Sequence, residues 1–308
     1  MQELFYYDGE FYEKGNALVH LEDRAFQMGD GIFEVLPVYD GKIFAMPQHV
    51  ARYTKSMRDL VIPIVDPDED LINVCQELIS RSGIEFGQIY IQISRGQWPR
   101  QLNYPLQCFP HIAMTIRENL IDIDAQEQGI ACSLEEDIRG LRCDLPTLNR
   151  LGNAIAMEAA RNKHCQNAVL YRKDTNQITE AANANFFIYR EGILWTHPAN
   201  NLILPGITRE IILKELLPAL GITAVEKAVT PEFAYGAEEA FITATDMEIQ
   251  PVIRLNNHRI GEGTPGPVTK KILAAFQEYV DVELSKLNFG PKETEISEAV
   301  LANTSFKN

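Results

Sequence analysis

The sequence predicts a two-domain protein of mixed α/β structure. Its 308 residues are about twice the usual length of one domain, and 45% of them are hydrophobic, which is enough to fill more than one core. β-rich runs around short turns are interleaved with segments whose apolar residues recur at every third or fourth position. Strand and helix patterns that alternate in this way are typical of α/β domains.

The N-terminal third predicts a small α/β domain over residues 1–120. LFYYDGEFYEKG and GIFEVLPVYDGKIFA each place an Asp-Gly pair between strand-like runs, which predicts two hairpins. PQHVARYTKSMRDL and DPDEDLINVCQELISRSG carry apolar residues at helical spacing. GQIYIQISRG and FPHIAMTIRE then predict two further strands.

A larger domain is predicted over residues 121–287. It begins with IDIDAQEQ, a short acidic segment whose weak patterning suits a linker between two cores. Strand patterns then alternate with helix patterns, among them a helix in LNRLGNAIAMEAARNKH with Leu151, Ile155 and Met157 toward one side. The polar tail 288–308 lacks a sustained apolar period, so we expect it to be loosely held.

The charge balance argues against nucleic acid as a partner. Asp and Glu outnumber Lys and Arg by 43 to 28, and the net charge of −15 repels phosphate backbones. No apolar run of about 18 residues predicts a membrane span, and the N-terminus lacks the pattern of a signal peptide, so we expect a cytoplasmic protein with no membrane partner. The five cysteines contain no CxxC pair, which suggests neither a disulfide framework nor a metal site.

A candidate phosphate site follows Gly206. LPGITREIILKELL predicts a helix that begins at or just after this glycine, where unpaired N–H groups and the positive end of the helix dipole favour an anion. A threonine at such a position also serves as a simple helix cap, so the pattern alone leaves both interpretations open.

Several motifs together resemble those of class IV aminotransferases, in particular the bacterial D-amino acid aminotransferases. DIRGLRCDLPTLNRLG, from Asp137 to Gly152, is similar to their DIRWLRCDIKSLNLLG-type segment, and QITEAANANFFIYREG is similar to their TE-G-SSSN-F motif. LNRLGN also resembles the LNR of aminodeoxychorismate lyases. The resemblance runs from Leu4 to Leu284 and implies a two-domain fold type IV pyridoxal-phosphate enzyme fold, usually a homodimer with the pocket between domains.

The resemblance implies a site for pyridoxal 5'-phosphate. Ile207 and Thr208 match the turn that binds the cofactor phosphate, and Arg52 and Thr245 match further donors to it. Glu180 matches the glutamate that keeps the pyridine nitrogen protonated, so that the ring withdraws electrons from the substrate α-carbon. Taken by itself, Glu180 equally suits a solvated surface group.

The substrate motifs depart from the pattern of D-amino acid aminotransferases. Those enzymes hold the substrate carboxylate with a tyrosine in GVYEV and with an RxH pair. This chain has Phe33 in place of the tyrosine, keeps Arg100, and has Leu102 in place of the histidine. Arg100 retains the geometry for a bidentate pair with a carboxylate, but two of the three donors are replaced.

Pro146 stands where the resemblance leads us to expect the lysine that forms a Schiff base with the cofactor. That lysine also transfers the proton between the α-carbon and the cofactor, and proline does neither. Arg150 follows in the same segment, but its guanidinium stays protonated and forms no Schiff base. Proline also fixes its own φ and biases Leu145 to an extended conformation.

Three hypotheses remain open from the sequence. The first is an aminotransferase or aminodeoxychorismate-lyase-like enzyme that acts on an amino acid with weakened or altered use of the cofactor. The second is a non-catalytic relative that binds a pyridoxal-type or other phosphate ligand. The third is an enzyme that uses the old pocket without a cofactor.

Overall fold

The computed structural model describes residues 3–63 and 68–287. Within these residues the chain forms two β-sheets accompanied by helices, so the prediction of mixed α/β structure is confirmed. The tail 288–308 lies outside the described residues, and the prediction that it is loosely held stays a prediction.

The first sheet has six strands in the spatial order β2-β1-β6-β5-β3-β4, and every neighbouring pair is antiparallel. The strands are β1 (Leu4–Tyr7), β2 (Glu10–Glu13), β3 (Gly31–Tyr39), β4 (Lys42–Ile43), β5 (Gly87–Ser94) and β6 (His111–Glu118). Both Asp-Gly hairpins are confirmed. Asp8 and Gly9 have φ of 45° and 98°, and Asp40 and Gly41 have φ of 51° and 69°, the positive values that suit the twist of a two-residue hairpin.

Three helices accompany the first sheet: α1 (Arg24–Met28), α2 (Met46–Asp59) and α3 (Asp68–Ser82). Helices α2 and α3 agree with the predicted helical spacing. Met57 of α2 and Leu78 of α3 are buried in one core with Ile91 of β5 and Ile116 of β6. This packing fixes α2 beside β3 and thereby places Arg52 next to the buried side of that strand.

The second sheet has nine strands in the spatial order β12-β11-β10-β13-β14-β7-β8-β9, with β15 beside β14. The pairs β11/β12, β14/β7 and β7/β8 are parallel, and the others are antiparallel. The strands are β7 (Ile130–Glu136), β8 (Asn167–Arg172), β9 (Gln177–Ala181), β10 (Asn185–Arg190), β11 (Ile193–Thr196), β12 (Thr223–Glu226), β13 (Glu239–Ala244), β14 (Glu248–Leu255) and β15 (His258–Arg259).

The helices of this part of the chain include a continuous helical stretch that starts after Gly206 and contains one π-helical segment, Ile212–Leu216. The α-helices are α4 (Ile123–Gln128), α5 (Leu151–Asn162), α6 (Ile207–Ile211), α7 (Leu217–Leu220), α8 (Pro231–Tyr235) and α9 (Pro267–Lys286).

The segment predicted to link the two domains contains helix α4, and its role as a linker stays a prediction. Oδ1 of Asp122 accepts a hydrogen bond from the amide of Ala125 at 2.9 Å and so caps the helix. Gln126 is buried and donates to Oε2 of Glu248 at 3.1 Å. An N-cap and one buried glutamine hold this short helix, and neither produces the apolar periodicity that predicts helices from sequence.

Helix α5 lies with a different face toward the protein than its large apolar residues suggest. Leu151 and Ile155 are exposed, and the buried face consists of Asn153, Ala156 and Ala160. Small side chains let the helix lie close against β7 and β8. The larger residues of α5 therefore face away from this chain's own core.

The two sheets meet through side chains on β3 and α9 and just after β4. The Phe44 ring packs edge-on against Phe276, with ring centroids 6.0 Å apart, and the hydroxyl of Tyr39 donates to Oε1 of Glu248 at 3.1 Å. The first sheet uses residues 4–118 and the second uses residues 130–259. The predicted division into domains 1–120 and 121–287 stays a prediction. Among the described helices, none combines the length and apolar character that a membrane crossing requires.

Candidate functional site

A cavity of about 340 Å³ opens between the two sheets. It is bounded by β3 and β5 from the first sheet, by α2, by the turn between β9 and β10, by the start of α6 and by the end of β13. Its lining includes six of the residues singled out from the sequence: Phe33, Arg52, Glu180, Ile207, Thr208 and Thr245. The fold thus brings together side chains that are far apart in the sequence.

One end of the cavity is formed by the start of α6. Gly206 is the N-cap residue and has no capping side chain, so the first amides of the helix have no partner within it. A methyl group added at Gly206 would collide with Oδ1 of Asn185, so a larger residue there would displace this asparagine. Thr243 and Thr245 also line the cavity, and Oγ1 of Thr243 is buried without a hydrogen-bond partner. This end presents several unpaired donors.

Arg52 lies at the same end of the cavity. Its Nε donates to Oε2 of Glu34 at 2.9 Å, its Nη2 also donates to Glu34, and its Nη1 contacts the carbonyl of Pro205 at 3.4 Å. Glu34 is almost completely buried beneath it. Three of the five N–H groups of the guanidinium are used in this way, which leaves two for a ligand.

Glu180 forms the middle of the cavity wall and is buried. Its carboxylate accepts hydrogen bonds from Nη1 of Arg139 at 2.6 Å, from Nδ2 of Asn185 at 2.9 Å and from the amide of Leu204 at 3.2 Å. Burial raises the pKa of Glu180 to about 7, although Arg139 opposes the shift. A buried carboxylate of this kind favours a further positively charged N–H partner.

Arg139 connects Glu180 to a second buried carboxylate. Its Nη2 lies 2.9 Å from Oδ2 of Asp137, and Asp137 also accepts from Oγ1 of Thr179 at 2.8 Å. Arg139 stands in the DIRGLRCD part of the motif segment, but nothing in the sequence indicated that it binds Glu180. The Arg139 guanidinium is thus bound by Asp137 and Glu180 together, and it orients the Glu180 carboxylate toward the cavity.

Pro146 is the centre of a tight turn. The amide of Thr147 donates to the carbonyl of Leu145 at 2.8 Å, which is the hydrogen bond of a γ-turn and suits the φ of proline. The carbonyl of Pro146 accepts from the amide of Phe33 at 2.8 Å, and the amide of Leu148 donates to the carbonyl of Gly31 at 3.1 Å. The segment is therefore attached to β3 through its main chain.

Pro146 lines a second cavity, of about 300 Å³, that adjoins the first. The two cavities share Arg139, Arg150, Asn153, Glu180 and Leu204. Among the described residues, no lysine lines either cavity. Within that part of the chain, neither cavity contains an amine that could form a Schiff base.

Arg100 and Leu102 do not line the cavities of this chain. Nη1 of Arg100 donates to the carbonyl of Gln27 at 3.0 Å, and both side chains are exposed. Their segment contains several large exposed apolar residues, including Tyr104, Leu106 and Phe109. A single chain therefore keeps these two predicted substrate residues away from the other six.

Several cavity residues besides Arg139 were not assigned to the site from the sequence, among them Tyr90, Arg150, Thr243 and Asp246. The ring of Tyr90 stacks on that of Phe33, with centroids 5.8 Å apart, and the guanidinium carbon of Arg150 lies 5.2 Å from the Phe33 centroid. Tyr90 lies in a strand with no recognisable motif. Asp246 directly follows Thr245, but the match at Thr245 predicted nothing about its neighbour. Arg150 belongs to the recognised LNRLGN segment, but the LNR motif did not indicate where the arginine side chain would lie.

Residues 31–255 match the family model described as amino-transferase class IV, and this chain belongs to that family. It is 36% identical over 275 residues to the D-alanine aminotransferase of Staphylococcus haemolyticus, covering 89% of this chain and 96% of that protein. The predicted family membership is therefore confirmed.

Solved structures agree with the fold. The branched-chain amino acid aminotransferase of Escherichia coli superposes with a TM-score of 0.85 at 27% identity, covering 91% of this chain and 95% of that chain. A putative 4-amino-4-deoxychorismate lyase of Legionella pneumophila gives a TM-score of 0.77 at 24% identity, covering 86% and 96%. The branched-chain aminotransferase of Thermoproteus uzoniensis, solved with norvaline, gives 0.80 at 23%, covering 92% and 96%. The predicted fold type IV architecture is confirmed.

Proposed function

We propose that this class IV aminotransferase-family protein binds a pyridoxal-type phosphate without a covalent link and acts on an amino acid or related small molecule. One observation carries the proposal. A single cavity collects Arg52, Glu180, Ile207, Thr208 and Thr245, while no lysine among the described residues lines it or the adjoining cavity.

The donors around Gly206 fit a phosphate dianion. The free amides at the start of α6, the hydroxyls of Thr208 and Thr245 and the two remaining N–H groups of Arg52 all belong to residues that line this cavity. Charge-assisted hydrogen bonds of this kind are roughly twice as strong as neutral ones. The unpartnered hydroxyl of Thr243 also gains a partner if a ligand fills this end.

Glu180 fits a protonated ring nitrogen. Burial makes its carboxylate form costly in the free protein, and a cationic N–H donor in the cavity offsets that cost. Arg139 and Asn185 fix the orientation of the carboxylate, so its position does not depend on the ligand.

When bound, a pyridoxal-type ring acts as an electron sink for the substrate α-carbon. Arg52, Thr208 and Thr245 would hold its phosphate, and Glu180 would keep the ring nitrogen protonated. In such a site a lysine transfers the proton, but no described amine lines the cavity here to do so. This kind of general acid–base catalysis is worth about 10²–10⁴-fold in rate. We therefore expect turnover to be slow.

The test is a titration of the protein with pyridoxamine phosphate by isothermal calorimetry. We expect binding in the parent and a weaker complex in Glu180→Gln, whose amide does not favour a protonated nitrogen. Glu158→Gln, an exposed glutamate of α5, is the control and should bind as the parent does. Absence of binding in the parent would contradict the proposal.

The lack of a lysine among the described cavity residues also favours a second candidate, a non-catalytic protein that only binds the phosphorylated ring. One experiment distinguishes the enzyme from the binding protein. Protein loaded with pyridoxamine phosphate is mixed with a 2-oxo acid, and the amino acid formed in a single turnover is measured by mass spectrometry. Amino acid above the protein-free background supports an enzyme, and its absence with retained binding supports the binding protein. Turnover of amino acids by protein free of cofactor would instead support the third hypothesis.

We also propose that the protein is a homodimer. Arg100, Leu102, Leu106 and Phe109 are exposed on one segment, and apolar patches of this kind are typical of protein interfaces. A partner chain that covers this segment would account for Arg100 and Leu102 being predicted at a substrate site while lying outside the cavity. The net charge of −15 supports a small molecule rather than a nucleic acid as the ligand. The five free cysteines support a cytoplasmic location.

A further inference from the structure

Three arginines line the first cavity, and only one of them has a guanidinium without a hydrogen-bond or ion-pair partner among the described residues. Arg52 is paired with Glu34, and Arg139 is paired with Asp137 and Glu180. The Arg150 guanidinium contacts the ring face of Phe33, and its side chain lines the cavity while remaining exposed. A cation that is held but unpaired in a cavity is available to an anionic ligand.

The position of Arg150 is fixed by its surroundings. Thr147 pairs with Ile32, and Leu148 donates to Gly31, so the chain before Arg150 is attached to β3. Arg150 is then the N-cap residue of α5. Its guanidinium lies on Phe33, which in turn stacks on Tyr90. Cation–π contact at such a distance is attractive and leaves the N–H edge of the guanidinium free for hydrogen bonds.

A carboxylate lies in the same cavity. Asp246, after the end of β13, lines the cavity and forms no ion pair within the described part of the chain. Glu180 is the other carboxylate that lines this cavity, and it already accepts hydrogen bonds from Arg139 and Asn185, so Asp246 is the carboxylate that is left for a cationic group. The cavity therefore presents a separated positive and negative charge, which is the complement of a zwitterion.

We propose that Arg150 binds the carboxylate of an amino acid in this cavity and that Asp246 binds its ammonium group. The proposal rests on the proposed function only for the substrate class. Arg150 would supply the carboxylate contact on the side where Phe33 has no hydroxyl to offer. A planar guanidinium can bind a carboxylate with two parallel hydrogen bonds, and the Phe33 ring restricts its rotation.

Three ligands that differ by one charged group test the proposal: norvaline in both enantiomers, pentanoate without the amine, and butylamine without the carboxylate. Their dissociation constants are measured by calorimetry on the full chain, with and without pyridoxamine phosphate. The variants are Arg150→Met and Asp246→Asn. Arg161→Met is the matched control, because Arg161 lies on the same helix and its guanidinium pairs with Glu158 on the surface.

We expect Arg150→Met to weaken norvaline and pentanoate by about tenfold to a hundredfold, the usual worth of a hydrogen bond to a charged group. Asp246→Asn should weaken norvaline and butylamine but leave pentanoate unchanged, and Arg161→Met should leave all three unchanged. Arg150→Lys keeps the charge and should retain part of the pentanoate affinity, which also provides a readout if Arg150→Met is poorly folded.

Norvaline binding that is equal in the parent, Arg150→Met and Arg150→Lys would overturn the assignment, and so would failure of the parent to bind either enantiomer. The outcome is separate from the cofactor test. Ligand binding that depends on Arg150 without pyridoxamine phosphate binding would retain this inference and reject the proposed function.

Discussion

Oε2 of Glu34 accepts a hydrogen bond from Nε of Arg52 at 2.9 Å, beneath the end of the cavity where the unpaired donors gather. Burial alone would raise the pKa of Glu34, but Arg52 and His49 together lower it to about 2. The carboxylate is therefore charged throughout the neutral range, and it fixes the direction of the guanidinium before any ligand arrives. The same contact makes the buried charge of Glu34 dependent on Arg52.

Arg52→Ala should therefore lower both the affinity for a phosphate ligand and the free energy of unfolding. Loss of the arginine leaves His49 as the remaining described ion-pair partner of the buried Glu34 carboxylate, and removing one partner of a buried pair costs at most about 3–5 kcal/mol in the free energy of unfolding. Inorganic phosphate or pyridoxamine phosphate should raise the melting temperature of the parent but not that of the variant. Urea unfolding and thermal shift measure the two effects. Arg58→Ala, an exposed arginine of the same helix, is the control, and an equal ligand response in both variants would remove Arg52 from the site.

The parent protein should form no covalent adduct with pyridoxal phosphate in its cavities. The motif resemblance leads us to expect the lysine at the position of Pro146, and no described lysine lines either cavity. Incubation with the cofactor, reduction with borohydride and peptide mass spectrometry should show only scattered substoichiometric labelling of surface lysines. A stoichiometric adduct at one lysine would show that an amine reaches the ring after all.

Pro146→Lys should gain such an adduct. On the proposed function, Thr208 and Arg52 would still bind the phosphate and Glu180 would still bind the ring nitrogen. The carbonyl of residue 146 accepts a hydrogen bond from the amide of Phe33, which holds the backbone at this position. Slow formation of pyruvate from D-alanine and 2-oxoglutarate should accompany it. Adding Phe33→Tyr and Leu102→His should raise the rate more than either does alone, because groups that act on one carboxylate couple. Leu102 lines neither cavity of its own chain, so this gain requires the proposed homodimer to bring the segment of one chain to the cavity of the other.

Lys173→Arg is a control for the labelling, since Lys173 lines neither cavity and its loss should leave the adduct unchanged. If the folded Pro146→Lys protein gives no borohydride adduct, a lysine at position 146 does not reach the bound ring through the second cavity.

Glu180→Gln should change how stability depends on pH. The pKa of Glu180 in the fold, about 7, lies above its ordinary value of 4.5, so its protonated form stabilises the fold at low pH. That contribution is lost as the pH rises through about 7, and it amounts to about 3 kcal/mol. The parent should lose stability relative to the variant between about pH 5 and about pH 8. Urea unfolding of both proteins gives the difference, and a difference that is constant with pH would show that Glu180 does not titrate there.

Leu106→Asp should dissociate the proposed homodimer. Leu106 is fully exposed in the single chain, beside Leu102 and Phe109, and a charge in a buried apolar interface is costly. Light scattering should give about twice the chain mass of 34.8 kDa for the parent and a value near that mass for the variant. Leu120→Asp, on an exposed leucine away from this segment, should leave the mass unchanged. A monomeric parent would contradict the proposed assembly.

Local sequence features predicted much of the fold. The Asp-Gly hairpins follow from two residues that adopt positive φ, and helices α2 and α3 follow from the spacing of apolar residues. Helix α4 was missed because a capping aspartate and one buried glutamine hold it, without an apolar stripe. The same limit applies to α5, whose buried face consists of small residues.

Only those site residues that belong to a recognised motif could be predicted from the sequence. Arg52, Glu180 and Thr208 belong to recognisable segments, and the structure places them in one cavity. Arg150 and Asp246 depend on which side chains remain unpaired after folding, and that property belongs to the tertiary structure. No local pattern reveals that, among the described residues, Arg139 already has two carboxylate partners while Arg150 has none.

The turn at Pro146 is attached to β3 by carbonyl and amide groups, which almost every amino acid supplies. The path of the backbone at this position is therefore insensitive to the side chain it carries. If the proposed function is correct, a single codon would separate a protein that retains its cofactor through a covalent bond from one that exchanges it with the surrounding pool. The loaded fraction of this protein would then follow the free concentration of the cofactor, instead of one molecule staying permanently bound.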